Sequence, residues 1–426
     1  MLLQEDGCAR VFKSEKLGEA EIYSSFANSL SVEYAGGTYK SKEFSSDSGY
    51  GIRVLNGGRV GFSHANLEKD VGKCAKTAKS LSRFSPKTGF SFEPAHASYP
   101  KAETFDSKAA ELEPELAFSA IEEILQEIKG HAEPTRVSIG FMEGMERVSN
   151  TSGVEAESRH SYVSVYAEAK KGTGLGFSIY SSCFLPDDFG KLGEEAGKIA
   201  AAMDKSAPLK SGNFRVKFSH QALSSLLGFM LFHFDGDNRR RGISTLKSGE
   251  KKFCESFTLI SDPLAKADAA CPFDGEGAPS APIDLVREGR VGGFLYDRYT
   301  AALEGVEAGG CCQRSDYSSL PRAGITNLVI PAGEIPESEF PQDYLEVVSF
   351  HGIHTSDPVS GDFGVDVDIA FLHKEGKRKI PVSNMLLSGN VFNLFKRIEA
   401  IGKEQHTHGG LVSPEIWFSG VHLIGK

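Results

Sequence analysis

The chain has 426 residues, 40% of them hydrophobic and 24% charged, with a formal net charge of −10. This is the balance of a globular protein, and the length exceeds one ordinary core, so two domains are expected. The acidic balance argues against non-specific nucleic-acid binding, which runs on excess Lys and Arg.

Seven cysteines, an odd number without a Cys-x-x-Cys pair, argue against a disulfide framework or a zinc ribbon. The opening MLLQEDGCARVFKSEK has no apolar signal core, and no apolar run is long enough to span a bilayer. The expectation is a cytoplasmic protein with no membrane partner and no direct nucleic-acid partner.

Residues 19–65 alternate as an antiparallel meander, with turns at Gly36-Gly37 and Asn56-Gly57-Gly58. The period then changes, and Leu67, Val71, Cys74, Ala75 and Ala78 share one helical face. Residues 85–103, rich in Pro and aromatics, read as a long connection. Leu116, Ala117, Ala120, Ile121, Ile124, Leu125 and Ile128 predict a second helix over residues 114–129, with Glu122, Glu123 and Glu127 on a solvated face. Residues 135–179 return to strand patterns, turning at Asn150 and Ser152-Gly153. A third helix runs from Phe189 to Met203. The short polar stretch 208–212 is the expected boundary, giving domains 1–208 and 209–426.

After a short strand over residues 213–219, Ala222, Leu223, Leu226, Leu227, Met230 and Leu231 predict a helix over 220–234. Short strands with Gly- and Pro-rich turns dominate beyond it. In residues 360–397, Val365, Val367 and Ile369 alternate with Asp366, Asp368 and Ala370, the pattern of a half-buried strand. Glu375-Gly376 turns into a second strand ending near Val382. Ser388-Gly389-Asn390 then opens a helix carrying Val391, Leu394, Phe395 and Ile398. Gly361-Asp362 and Gly389-Asn390 bracket this unit, and Gly lets backbone approach a ligand closely. The fold class expected is α+β: an N-terminal domain of antiparallel strands packed by helices, and a C-terminal β-rich, barrel-like domain.

Six stretches carry a resemblance. GYGIRVLNGGRVGF (49–62), VSNTSGV (148–154), SDPLA (261–265), FDGEGAPSAPIDLVREGRVGGFLYDRYTAA (273–302), TNLVIPAG (326–333) and the SGDF and SGN of 360–390 stand in one order. Together they resemble the TldD/PmbA family, first named modulators of DNA gyrase and later read as metalloproteases. Its TldD-like branch carries HExxxH on a helix and a Cys near the C-terminus. Imidazole and thiolate hold a divalent metal, and the carboxylate takes a proton from water. Here His220 is followed by Gln221, position 225 is Ser225, and the tail after residue 397 has no Cys. The chain therefore resembles the PmbA/TldE branch.

That resemblance implies a non-catalytic subunit that forms a heterodimer with a TldD-like metalloprotease and acts on unfolded peptides. It admits a homodimer when the partner is absent. It implies no catalytic residue, metal or cofactor in this chain, with zinc or iron in the partner. Exposed strand edges would hold peptide by β-augmentation. Asn327, Gly361, Asp362, Phe363, Gly389 and Asn390 are the candidate peptide-binding residues. Two other readings compete. One is a self-sufficient metallopeptidase with ligands outside the motif: His351 and His354 near Asp357, with His406 and His408 in QHTHGG. The other is a non-enzymatic regulator that binds DNA gyrase.

Cys311-Cys312, beside Arg314, read as ordinary thiols in a loop. Asn238-Arg239-Arg240-Arg241 is the most basic run, a solvated loop or a meeting point for an acidic surface or a peptide C-terminus. Walker A and dinucleotide fingerprints are absent from the sequence.

Overall fold

The computed structural model describes residues 11–12, 17–375 and 378–425. Strands β1 (Glu19–Ala35), β2 (Thr38–Asn56), β3 (Arg59–Ala65), β4 (Glu133–Asn150), β5 (Glu155–Lys171) and β6 (Gly174–Ser182) form one antiparallel sheet, ordered β3-β2-β1-β4-β5-β6. Gly36 and Gly37 turn β1 into β2 at φ +56° and +84°, left-handed values that glycine takes without a Cβ clash. Helix α1 (Val71–Leu81) covers β2 and β3 through Val71, Ala75 and Ala78. Helices α2 (Pro114–Lys129) and α3 (Gly190–Met203) lay Ile121, Ile124, Ile128, Ala196 and Ala200 over Val137, Val163 and Val165. The two helices touch through Gly193, where a Cβ would sit 2.3 Å from the Ile124 carbonyl oxygen. Residues 85–103 carry no strand or α-helix, as their composition predicts.

The second half holds β7 (Ala207–Pro208), β8 (Gly212–Phe218), α4 (His220–Leu231), α5 (Gly236–Arg240), β9 (Leu259–Ser261), β10 (Ile283–Arg287), β11 (Arg290–Val291) and α6 (Arg298–Glu304). It continues with β12 (Cys312–Gln313), β13 (Arg322–Ala323), β14 (Leu328–Val329), β15 (Tyr344–His351), β16 (Asp362–Lys374) and β17 (Arg378–Ser383). Strand β18 (Met385–Asn390), α7 (Val391–Leu394), β19 (Ile398–His408) and β20 (Leu411–Gly425) complete it. Five strands close on themselves: β20 pairs β8, β8 pairs β15, β15 pairs β16, β16 pairs β18, and β18 returns to β20. Closure removes free edges. Helix α4 joins the barrel core, placing Leu226, Leu227 and Met230 in one cluster with Val365, Val367 and Leu387. The fold is thus α+β with a C-terminal barrel.

Two local expectations are corrected. The helix expected from Ser388 onward is a single turn, Val391–Leu394, and Ile398 already belongs to β19. One turn followed by a strand presents the same apolar spacing as a longer helix. Ile369 does not share a face with Val365 and Val367. The β15–β16 ladder slips around Ser349, and this double irregularity turns Ile369 and Phe371 outward. There they pack with Phe177, Ile199 and Met203 of the N-terminal half. Gly376 of the expected turn lies outside the described residues; Glu375 adopts φ +53°.

The halves are also joined by buried charge. Arg53 on β2 bonds Glu21 on β1 (2.9 and 2.6 Å) and Glu276 of the C-terminal half (2.6 Å), and all three are at most 2% exposed. Arg314 adds a second cation to Glu21, and Arg298 reaches back to Glu93. No helix among the described residues is long and apolar enough to cross a membrane.

Candidate functional site

A cleft of about 690 Å³ opens where β6, the start of α4 and the β19–β20 hairpin meet. Strand β6 ends its sheet and pairs with β5 alone among the described residues, so its outer edge is free. Phe177 to Ser181 of this strand form one wall.

The opposite wall starts at α4. Ser219 is its N-cap: Oγ accepts from Ala222 N (3.1 Å) and donates to Val348 O (2.7 Å). This fixes His220 at the first helical position. His220 Nε2 donates to Ser413 O at 3.2 Å, which leaves Nδ1 unprotonated in the neutral ring. His406 and His408 lie on β19, two residues apart and so on one strand face. The His408 ring stacks on His220 at 4.1 Å, and His406 meets His220 edge-on at 5.8 Å. Burial in the cleft lowers the His408 pKa to about 4, helped by repulsion from the other two imidazoles. Burial lowers His220 as well. Both are neutral at pH 7.

The floor is ionic. Lys217 Nζ lies 3.1 Å from Glu346 and 2.8 Å from Glu415. Burial alone would raise the Glu346 pKa, but a hydrogen bond from His373 and the charges of Lys217 and Lys379 hold it well below the usual carboxylate range. At the far end Ser181 Oγ donates to Asp268 Oδ2 at 2.8 Å, while burial raises the Asp268 pKa. Gly409 and Gly410 close the wall. A Cβ on Gly409 would sit 2.8 Å from Ser181 Oγ, so the hairpin approaches β6 only because no side chain intervenes.

The predicted peptide-binding residues fall elsewhere. Asn327 is fully buried behind Gly410, donating to Ala265 O (3.0 Å) and accepting from Ala269 N (2.9 Å). Gly361, Asp362, Phe363, Gly389 and Asn390 gather where β16 pairs β18, outside the cleft lining. Asn390 Nδ2 donates to Asp362 Oδ1 (2.8 Å), and its Oδ1 caps α7. Phe363 is in the barrel core. His351 pairs with Asp368 (2.6 Å) on a solvated strand face, and His354 lies on the following 3₁₀ turn. Cys311 and Cys312 are buried rather than in an open loop, and burial pushes the Cys311 thiol up to about 12. Lys217, Asp268 and Glu346 were missed by sequence reading. The His-x-His spacing on a strand was the signal that joins His406 and His408 to one face.

A family of metalloproteases implies a divalent metal, and these residues do not fit one. Gln221 stands where the motif puts its carboxylate, and Ser225 Oγ donates back to Gln221 O (3.1 Å). Among the described residues, no group of three or more His, Cys, Asp or Glu side chains is arranged to hold a metal ion. What the cleft offers is a free strand edge, neutral imidazoles and fixed charges, which are means of binding.

Three family models cover the chain in sequence: PmbA/TldA metallopeptidase domain 1 over residues 20–82, the central domain over 103–204 and the C-terminal domain over 211–425. An uncharacterized protein of Methanocaldococcus jannaschii is 29% identical across 95% of this chain and 97% of its own length. A metalloprotease of Methanothermobacter thermautotrophicus is 25% identical across 92% and 89%. The crystal structure of TldE from Thermococcus kodakarensis has the same fold, with a TM-score of 0.89 at 21% identity over 98% of this chain and 100% of that one. With matched domains running nearly end to end, this chain belongs to the PmbA/TldD metallopeptidase family.

Proposed function

We propose that this chain is the PmbA/TldE-like, non-catalytic subunit of a TldD-type metalloprotease complex. In this reading its cleft holds a stretch of extended, unfolded peptide. The observation that carries the reading is the start of α4: His220 is retained, but Gln221 and Ser225 replace the carboxylate and the second imidazole. Without a carboxylate at position 221, this helix lacks the base that the HExxxH motif directs at a metal-bound water.

The free edge of β6 supports the peptide role. A strand laid along Phe177–Ser181 finds unpaired backbone N–H and C=O groups, and main-chain pairing tolerates many sequences. Neutral His220 and His408 line that path without repelling a cationic peptide. The partner, a TldD-like subunit in a heterodimer, supplies zinc or iron, which activates the attacking water when bound. We place the complex in the cytoplasm, where free thiols such as Cys183 and Cys311 stay reduced.

The test is an Ile179→Trp substitution in this chain, which crowds the cleft from an exposed position on β6. Mixed with a TldD-like partner from the same genome, the variant should still form the complex but cleave an unstructured peptide at least about tenfold more slowly, the scale of one lost productive binding mode. An intact complex cleaving at the unsubstituted rate contradicts the reading.

A further inference from the structure

A second cavity, of about 510 Å³, shares no lining residue with the first. It lies between the end of α1, the α5 turn, α6 and β13. Its size is that of a small-molecule or short-peptide pocket.

Three of its walls are open apolar side chains from three separate segments. Leu81, Leu303 and Leu320 are 43%, 39% and 46% exposed, and all line the cavity. Scattered exposed leucines need no explanation, but three converging on one concavity do.

The polar lining carries both charges, and its cations differ in how far they are paired. Asp235 Oδ1 accepts from Asp237 N and Asn238 N, and Asp297 accepts from Thr300, neutral donors that leave both carboxylates charged but engaged in capping their helices. Arg53 is neutralised by Glu21 and Glu276. Three guanidiniums, from Arg240, Arg241 and Arg322, stand against the three carboxylates of Asp235, Asp237 and Asp297. Arg240 holds Asp237 Oδ1 at 2.7 Å, and Arg241 approaches Oδ2 only to 3.8 Å. Arg322 makes no ion pair or side-chain hydrogen bond among the described residues. A free guanidinium presents a planar fork matched to a carboxylate.

We infer that this cavity binds the free C-terminus of a peptide whose last residue is apolar. Arg322, aided by Arg241, takes the terminal carboxylate, and the leucines take the last side chain. Asp237 Oδ2, loosely held, accepts a backbone N–H. That acceptor gives a peptide one bond that an alkyl carboxylate cannot make. The inference does not depend on the role of the first cleft.

The test is calorimetric titration of the whole chain with N-acetyl-Gly-Ala-Leu as the free acid, as the C-terminal amide, and with decanoate. The acid should bind, and the amide should bind at least about tenfold more weakly, as loss of a charge-assisted pair requires. Arg322→Gln should weaken the acid by a similar factor, with an unchanged melting temperature because Arg322 is exposed and unpaired. Leu303→Asp, on a different element, should do the same, whereas Ile179→Trp in the first cleft should leave this binding intact. Equal affinity for acid and amide, no binding of the acid at millimolar concentration, or an unaffected Arg322→Gln overturns the proposal. Binding of decanoate without the tripeptide also overturns it, as does loss of tripeptide binding in Ile179→Trp.

Discussion

The imidazole of His408 stacks on that of His220 at 4.1 Å, with 28° between the ring planes. One ring opens a helix and the other ends a strand nearly two hundred residues later, yet together they form one wall of the cleft. Two rings this close cannot both carry charge at low cost, which is why repulsion adds to burial in lowering His408 from 6.5 to about 4.

A pH dependence follows. The folded pKa of His408 lies below its unfolded value, so the unfolded chain binds more protons between about pH 6.5 and pH 4. The stability associated with neutral His408 is fully present above about pH 6.5 and is lost as pH falls towards about 4. His408 keeps part of its surface open to water, which screens the effect. Chemical denaturation at pH 7 and pH 5 should show a smaller loss of stability in His408→Gln than in the unsubstituted chain. Proton NMR titration should place the His408 midpoint well below 6.5.

Arg53 tests the seam between the halves. Removing it leaves Glu21 and Glu276 buried with one cation fewer, and breaking such a pair from one side costs about 3–5 kcal/mol. Arg53→Ala should therefore lower the urea midpoint strongly, whereas Arg287→Ala, which breaks an exposed pair with Asp284, should shift stability by less than about 1 kcal/mol. Equal effects from the two substitutions would contradict the buried-latch account.

Ser219→Ala separates helix capping from ligand binding. The substitution removes the bond from Ala222 N and the bond to Val348 O at the entrance to α4. It should destabilise the fold by about 1–2 kcal/mol. It should also loosen the His220–His408 stack, seen as a rise of the His408 NMR midpoint towards 6.5.

Much of the frame was legible in the sequence. Gly36-Gly37 and Asn56-Gly57-Gly58 announce their hairpins because only a few residues tolerate left-handed backbone, and α2 shows one apolar stripe over sixteen residues. The end of the apolar run at Ile398 was not legible, since helix and strand spacing coincide over so few positions. The slip that turns Ile369 away from Val367 depends on how β15 pairs with β16, a long-range relation with no local signature. The same holds for the site. His220 stood out through its motif and His406-x-His408 through its spacing, but their meeting is a product of the β19–β20 hairpin. Lys217, Glu346 and Asp268 are ordinary charged residues until the barrel brings them to one cleft.

The central claim is that catalysis and metal reside in a partner subunit. The direct measurement is metal content by mass spectrometry together with cleavage of an unstructured peptide, made on this chain alone, on a TldD-like partner alone, and on the mixture. The account predicts that this chain alone carries substoichiometric metal and cleaves nothing, while the mixture carries metal and cleaves. Stoichiometric zinc or iron in this chain, with cleavage that a chelator abolishes, would contradict it and would make the histidine wall a catalytic centre.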